Sequence, residues 1–180
     1  AKAYCMMKNY PIAVGRYEAL KSMGDRSFTT LYYLGISHYG NECPSEARDN
    51  LLVAHRKSPQ DVNVLYYLAK SSSNSYYKKE GLEYMKEALE LVIPKDSVVM
   101  RLYEGLVDCY ESYTAADPYE YIEVMKKTYS MNKKYTLFYR IAQIYDRQKD
   151  YANAIHYYEK FMSMVPKDKR VALDKDGKPR

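Results

Sequence analysis

Three histidines, three cysteines and a serine cluster are the residues of this chain best suited to acid–base, metal or covalent chemistry, and their spacing points away from all three. His38, His55 and His156 lie far apart, and none belongs to a His-x-x-x-His pair that would set two ligands on one helix face. Cys5, Cys43 and Cys109 are odd in number and lack metal-ligand spacing, so they imply no disulfide framework, although a single bridge stays open. Ser71-Ser72-Ser73-Asn74-Ser75 has no nucleophile elbow around it and reads as a loop where a helix frays or ends early. Seven glycines form no phosphate-cradling loop. Asp174-Lys175-Asp176-Gly177 has the alternating oxygens of part of a calcium loop, but Ala172 stands where the first carboxylate should be, and the stretch reads as a turn. The sequence therefore implies no catalytic centre, no metal and no cofactor. What remains is non-covalent chemistry, and for that the chain is unusually equipped: 23 tyrosines and no tryptophan.

The elements that position those tyrosines follow from periodicity. From Tyr135 to Asp168, Phe138, Ile141, Ala142 and Tyr145 recur at helical spacing, then Ala154, Tyr158 and Phe161 do so again, and Pro166 closes the stretch. That is a helical hairpin. Leu31, Leu34, Gly35, Ala47, Leu51 and Ala54 return in the same order, at one constant offset, as Leu65, Leu68, Ala69, Gly81, Met85 and Ala88. Tyr103, Leu106, Val107 and Tyr110 open a further copy, which precedes Phe138, Ile141, Ala142 and Tyr145 by that offset plus a single residue; its second helix, with Tyr121, Met125 and Thr128, is the least faithful. Ala13, Tyr17 and Leu20 precede Ala47, Leu51 and Ala54 by the same offset, so the sequence begins inside a unit. Small residues (Gly35, Ala47, Ala54, Ala69, Gly81, Ala88, Ala142, Ala154) mark where helices must approach closely. Asp117-Pro118-Tyr119-Glu120 and Pro44-Ser45-Glu46 carry helix-start chemistry, and Pro59, Pro94 and Pro166 mark turns between units.

This pattern resembles the tetratricopeptide repeat, a helical hairpin with a fixed period, with Phe138 in place of the usual Trp. The resemblance implies an all-α fold, a right-handed α-solenoid of hairpins forming a single array over residues 1–168: a partial unit 1–27, units near 28–61, 62–98, 99–134 and 135–168, and a polar tail 169–180. Within the array Tyr4, Tyr110 and Tyr145 share one slot, Tyr17 and Tyr158 another, and Tyr10 and Tyr151 a third, all packing positions expected in the core. Tyr32, Tyr33, Tyr66, Tyr67 and Tyr139 stand beside packing residues on first helices, which in this family line the concave groove. They either reach the groove or form the wet edge of the core.

Extending the first-helix face gives Tyr32, Ile36 and Tyr39, then Tyr66 and Lys70, then Glu104, Asp108 and Glu111, then Tyr139, Gln143 and Asp146. The order runs from aromatic to acidic, so the expected partner is a protein or peptide segment that is apolar at one end and basic at the other. Arg101, Arg140 and Arg147 would balance the same acids in a merely solvated face. The family's carboxylate clamp for acidic chaperone tails is not implied, because its slots hold Tyr32, Ile36, Tyr67, Arg101 and Gly105, with one basic residue among them.

The resemblance thus implies a non-enzymatic interaction scaffold. The alternative is a structural module that associates with itself, or that docks other parts of a longer protein, through the last hairpin, where Ile155, Phe161 and Met162 have no visible capping helix. A net charge of +5, from 28 basic and 23 acidic residues that are interspersed, gives no basic run of the nucleic-acid type. No stretch is long and apolar enough for a membrane-spanning helix. The chain starts at Ala1 without a signal pattern, as expected if a leader was removed or the sequence is a fragment.

Overall fold

A computed structural model describes residues 1–91 and 96–166. Pro94, the polar tail 169–180 and the Asp174 to Gly177 turn lie outside the described residues. The described chain is helical: α1 (Lys2–Met6), α2 (Tyr10–Ser22), α3 (Phe28–Gly40), α4 (Pro44–Lys57), α5 (Val62–Ser73), α6 (Lys78–Leu91), α7 (Asp96–Ser112), α8 (Pro118–Asn132), α9 (Thr136–Arg147) and α10 (Tyr151–Met164). It divides into two compact units, Ala1–Ala116 with α1 to α7, and Asp117–Arg180, of which residues 117–166 are described, with α8 to α10.

Side chains fix where the helices start. The Ser27 hydroxyl accepts the Thr30 N–H ahead of α3, and Asp61 accepts from the Asn63 and Val64 N–H groups ahead of α5. Asp117 does the same for Tyr119 and Glu120 ahead of α8, and Asp150 for Asn153 ahead of α10. Each such cap contributes about 0.5–2 kcal/mol. Pro44 and Pro118 occupy first helical positions, where the missing N–H costs nothing.

The repeat also appears in the backbone of the turns. Asn9 N–H reaches back to Tyr4 C=O, Cys43 N–H to His38 C=O and Asp150 N–H to Tyr145 C=O, each at 2.9 Å. One residue before each donor the chain is left-handed, at Lys8 (φ 58°), Glu42 (φ 59°) and Lys149 (φ 61°). The slot shared by Tyr4, His38 and Tyr145 is thus the residue whose carbonyl closes the hairpin turn.

In the first unit each hairpin packs on the next, while α1, α3, α5 and α7 also touch in sequence and form one layer of first helices. The core runs between the layers through fully buried Leu31, Leu34, Leu51, Leu65, Leu68, Met85 and Leu102. All eight small residues singled out by the repeat are buried. Gly35 shows why: a Cβ there would lie 2.5 Å from Leu51 Cγ. In the second unit α9 packs between α8 and α10, with Ile122, Met125, Phe138, Ile141 and Ala142 enclosed.

Two sequence expectations are corrected. The serine stretch does not fray; α5 continues to Ser73, and Ser71, Ser72 and Ser73 are buried, the Ser73 hydroxyl pointing at Cys109 Sγ 3.2 Å away. Serine acts there as a small residue in a helix contact, beside Gly81. The shared tyrosine slots are not uniformly core: Tyr17 is buried, but Tyr4 is 37% and Tyr151 is 59% exposed. Tyr10 is covered because its ring lies over Gly40 of α3, whereas no described helix follows α10 to cover Tyr151.

Candidate functional site

Aromatic rings on the first-helix layer of the first unit form two groups, one on α3 and one joining α3 to α5. On α3, Phe28 stacks on Tyr32 (5.6 Å between centroids), and Tyr32 meets Tyr33 edge to face (5.1 Å). On α5, Tyr66 meets Tyr67 edge to face (5.3 Å), and Tyr67 meets Tyr39 of α3 in the same way (5.8 Å). Tyr32, Tyr39 and Tyr67 cover a buried cluster of Ala47, Leu51 and Leu68, which fixes their lower edges. Tyr66 lies against the backbone of α7, where a Cβ on Gly105 would come within 3.1 Å of its ring. The Arg101 guanidinium sits 4.8 Å above Tyr66 and donates to Asn63 Oδ1 at 3.1 Å. Ile36, Tyr32, Tyr33, Tyr39, Tyr66 and Tyr67 are all half-buried. The tyrosine rings finish the core and their outer edges meet solvent, as at the wet edge of a core.

Burial pushes the Tyr32, Tyr66 and Tyr67 hydroxyls above the usual tyrosine range, with Arg101 pulling each back in part. They are neutral donors at any physiological pH.

The acidic stretch of the inferred groove has another arrangement. Lys70 Nζ is 2.5 Å from Asp108 Oδ2, which links α5 to α7. Burial works against the charge on Lys70, but the hydrogen bond and charge of Asp108 outweigh it and raise its pKa. Asp108 is balanced by Lys70, while Arg101 lies over an aromatic ring. Glu104 is half-buried and Glu111 exposed on the same helix.

Tyr139, Gln143 and Asp146 lie on α9 in the second unit. Tyr139 is 43% exposed and meets Tyr158 (5.7 Å) and Phe161 (5.3 Å) of α10. Gln143 is half-buried and Asp146 exposed.

Sequence reasoning missed three contributors: Tyr67 as the ring joining α3 to α5, Arg101 as a cation over Tyr66, and Lys2, whose Nζ lies 5.3 Å from the Tyr33 centroid. The Tyr32-Tyr33 pair, repeated one period on as Tyr66-Tyr67, was the available signal for the first.

The histidines have structural surroundings. His38 Nε2 lies 3.2 Å from Glu18 Oε1, His55 packs edge to face on Tyr84, and His156 does so on Tyr157. Among the described residues no three His, Cys, Asp or Glu side chains are grouped as a metal site, and no helix is long and apolar enough to cross a membrane.

Residues 135–168 match the tetratricopeptide repeat family. A crystal structure of MamA protein is similar over 96% of this chain and 92% of its own, with a TM-score of 0.76 and 18% identity. This is a tetratricopeptide-repeat fold. MamA from Desulfovibrio magneticus RS-1 resembles it over 91% of this chain and 93% of its own (TM-score 0.71, 14% identity). YrrB, titled a TPR protein with an unusual peptide-binding site, resembles it over 92% and 83% (TM-score 0.73, 16% identity). No curated protein matches in sequence. In the first unit α1, α3, α5 and α7 take the place of first helices, and α2, α4 and α6 that of second helices.

Proposed function

We propose that the protein is a non-enzymatic interaction scaffold and that an extended peptide or protein segment binds across the first helices α3, α5 and α7. The observation that carries this reading is the row of half-buried tyrosines on α3 and α5, whose inner edges are fixed on buried leucines and whose outer edges meet solvent. Tyrosine in this setting supplies contact area at small entropic cost and adds a polar handle. The likeness to YrrB, described as having a peptide-binding site, agrees with it. Tyr32, Ile36, Tyr39 and Tyr66 are the anchors. Glu104 and Glu111, beside the Lys70–Asp108 ion pair, would steer any basic portion of the partner. Tyr139, Gln143 and Asp146 on α9 are a candidate contact patch of the second unit taken by itself. The repeat boundaries near 28–61, 62–98, 99–134 and 135–168 belong to the same proposal.

The test is selection from a displayed peptide library on the wild-type protein, followed by binding of the selected peptides to Tyr66→Ala. Loss of an anchor of this kind weakens binding by roughly tenfold or more. Unchanged affinity in Tyr66→Ala would remove the aromatic face from consideration.

A second reading, self-association, rests on α10, where Ile155 is 57% and Met162 51% exposed. It is distinguished by the concentration dependence of mass in light scattering.

A further inference from the structure

The polar groups around the aromatic row are unevenly supplied. Among the described residues, none of the hydroxyls of Tyr32, Tyr33, Tyr39, Tyr66 and Tyr67 is hydrogen-bonded to another side chain or to the backbone, and none is sealed from solvent. Arg101 donates to Asn63 and has no carboxylate within ion-pair distance among the described residues. Each neighbouring acid or amide has one oxygen already engaged. Asp61 caps α5 through the Asn63 and Val64 N–H groups, Asn63 Oδ1 is held by Arg101, and Asp108 is held by Lys70. The free tyrosine hydroxyls, each able to donate as well as accept, and the Arg101 N–H groups beyond the one on Asn63 are therefore the groups open to the carbonyls of a ligand.

An ordinary extended peptide brings one N–H for every C=O, and each N–H left buried without an acceptor costs about 1–3 kcal/mol. Proline brings the carbonyl without the N–H. In a polyproline II segment those carbonyls point outward, and the backbone is already ordered before binding. Flat rings in shallow rows suit pyrrolidine rings, which is how aromatic-lined grooves hold such segments in general. The spacing agrees: Tyr32 and Tyr39 are two helical turns apart, roughly 10 Å along α3, close to the roughly 9 Å of one polyproline II turn.

Charge narrows the ligand further. Lys2 stands over Tyr33 and Arg101 over Tyr66, so two ring faces already carry cations. A lysine or arginine arriving there meets like charge, and a carboxylate meets Arg101 N–H groups that no acid occupies. This reverses, for the aromatic part of the face, any preference for a basic partner.

We propose that the α3–α5–α7 face binds an extended proline-rich segment carrying an acidic residue on its Arg101 side. The inference rests on this face being the recognition surface and adds the class of ligand.

Fluorescence anisotropy with three labelled peptides of equal length tests it: prolines flanked by aspartate, the same peptide with alanine for proline, and the same with lysine for aspartate. The expected order is tightest for the first, by roughly tenfold over either control. Tyr66→Phe and Tyr67→Phe, which remove only a hydroxyl and keep the ring, should each weaken the first peptide about three- to tenfold, the worth of a hydrogen bond. Arg101→Gln should abolish the preference for aspartate over lysine and leave the preference for proline. Equal binding of all three peptides, or tightest binding of the lysine peptide, overturns the proposal. If library-selected peptides bind in a Tyr66-dependent way while lacking proline, the ligand class is wrong and the recognition surface stands. If no selected peptide depends on Tyr66, both fall.

Discussion

Gly81 is the position where the packing of this array makes its sharpest demand. It lies in the first turn of α6, and a Cβ added there would sit 2.5 Å from Ser73 Oγ, 2.9 Å from Ala69 C=O and 2.9 Å from Ser73 N. Two of those three atoms are backbone of α5, so the clash cannot be relieved by a rotamer change and the hairpin must open. Gly81→Ala removes the helix penalty of glycine, a gain of about 1 kcal/mol, and adds overpacking near the upper end of about 1–3 kcal/mol. The net expectation is destabilisation by about 1–2 kcal/mol. Gly15 of α2 is the internal control, because a Cβ there meets nothing within 4 Å. Gly15→Ala should be stabilising by up to about 1 kcal/mol. For a chain of this size each kcal/mol moves Tm by roughly 2–4 °C, so the two variants should melt on opposite sides of wild type by circular dichroism. A Gly81→Ala protein as stable as wild type would refute the close α5–α6 approach.

Ala88 is fully buried in α6, so Ala88→Leu should cost roughly 1–3 kcal/mol in urea unfolding, whereas Lys126→Ala removes an exposed pair with Glu123 and should stay within about 0.5 kcal/mol. Burial pushes the Cys109 thiol from 9.0 up to about 11, so the folded state binds that proton more tightly than the unfolded state. The resulting stability is complete below pH 9 and is lost as pH rises toward 11, and Cys109→Ala should flatten that part of the urea-midpoint profile. In thiol-reagent kinetics Cys43, partly exposed, should react well before buried Cys5 and Cys109. Met162→Ser, on the exposed face of α10, should weaken concentration-dependent association in light scattering, and a chain monomeric at all concentrations would exclude a self-contact there.

The hairpins were legible because each depends on residues near in sequence. The Asp117 cap, the Pro44 and Pro118 starts and the buried small residues are properties of one helix or one turn, and the constant period places them in register. The face was legible only as a set of candidates. Lys70 and Asp108 are far apart in the chain, and so are Asn63 and Arg101; which cation meets which partner depends on the rotation of α5 against α7, and helical spacing does not encode it. Tyr4 and Tyr151 failed as core residues for a related reason. A repeat slot describes the environment of an interior helix, and among the described residues α1 packs chiefly on α2 and α3 and α10 chiefly on α9.

The central claim is that the first helices of the Ala1–Ala116 unit carry the recognition surface. Backbone NMR shift mapping on the full chain with a library-selected peptide tests it most directly. The account predicts perturbations concentrated on α3, α5 and α7 around Tyr32, Ile36, Tyr39, Tyr66 and Arg101, with α2, α4 and α6 largely still. Perturbations centred on the second helices α2, α4 and α6 would contradict it.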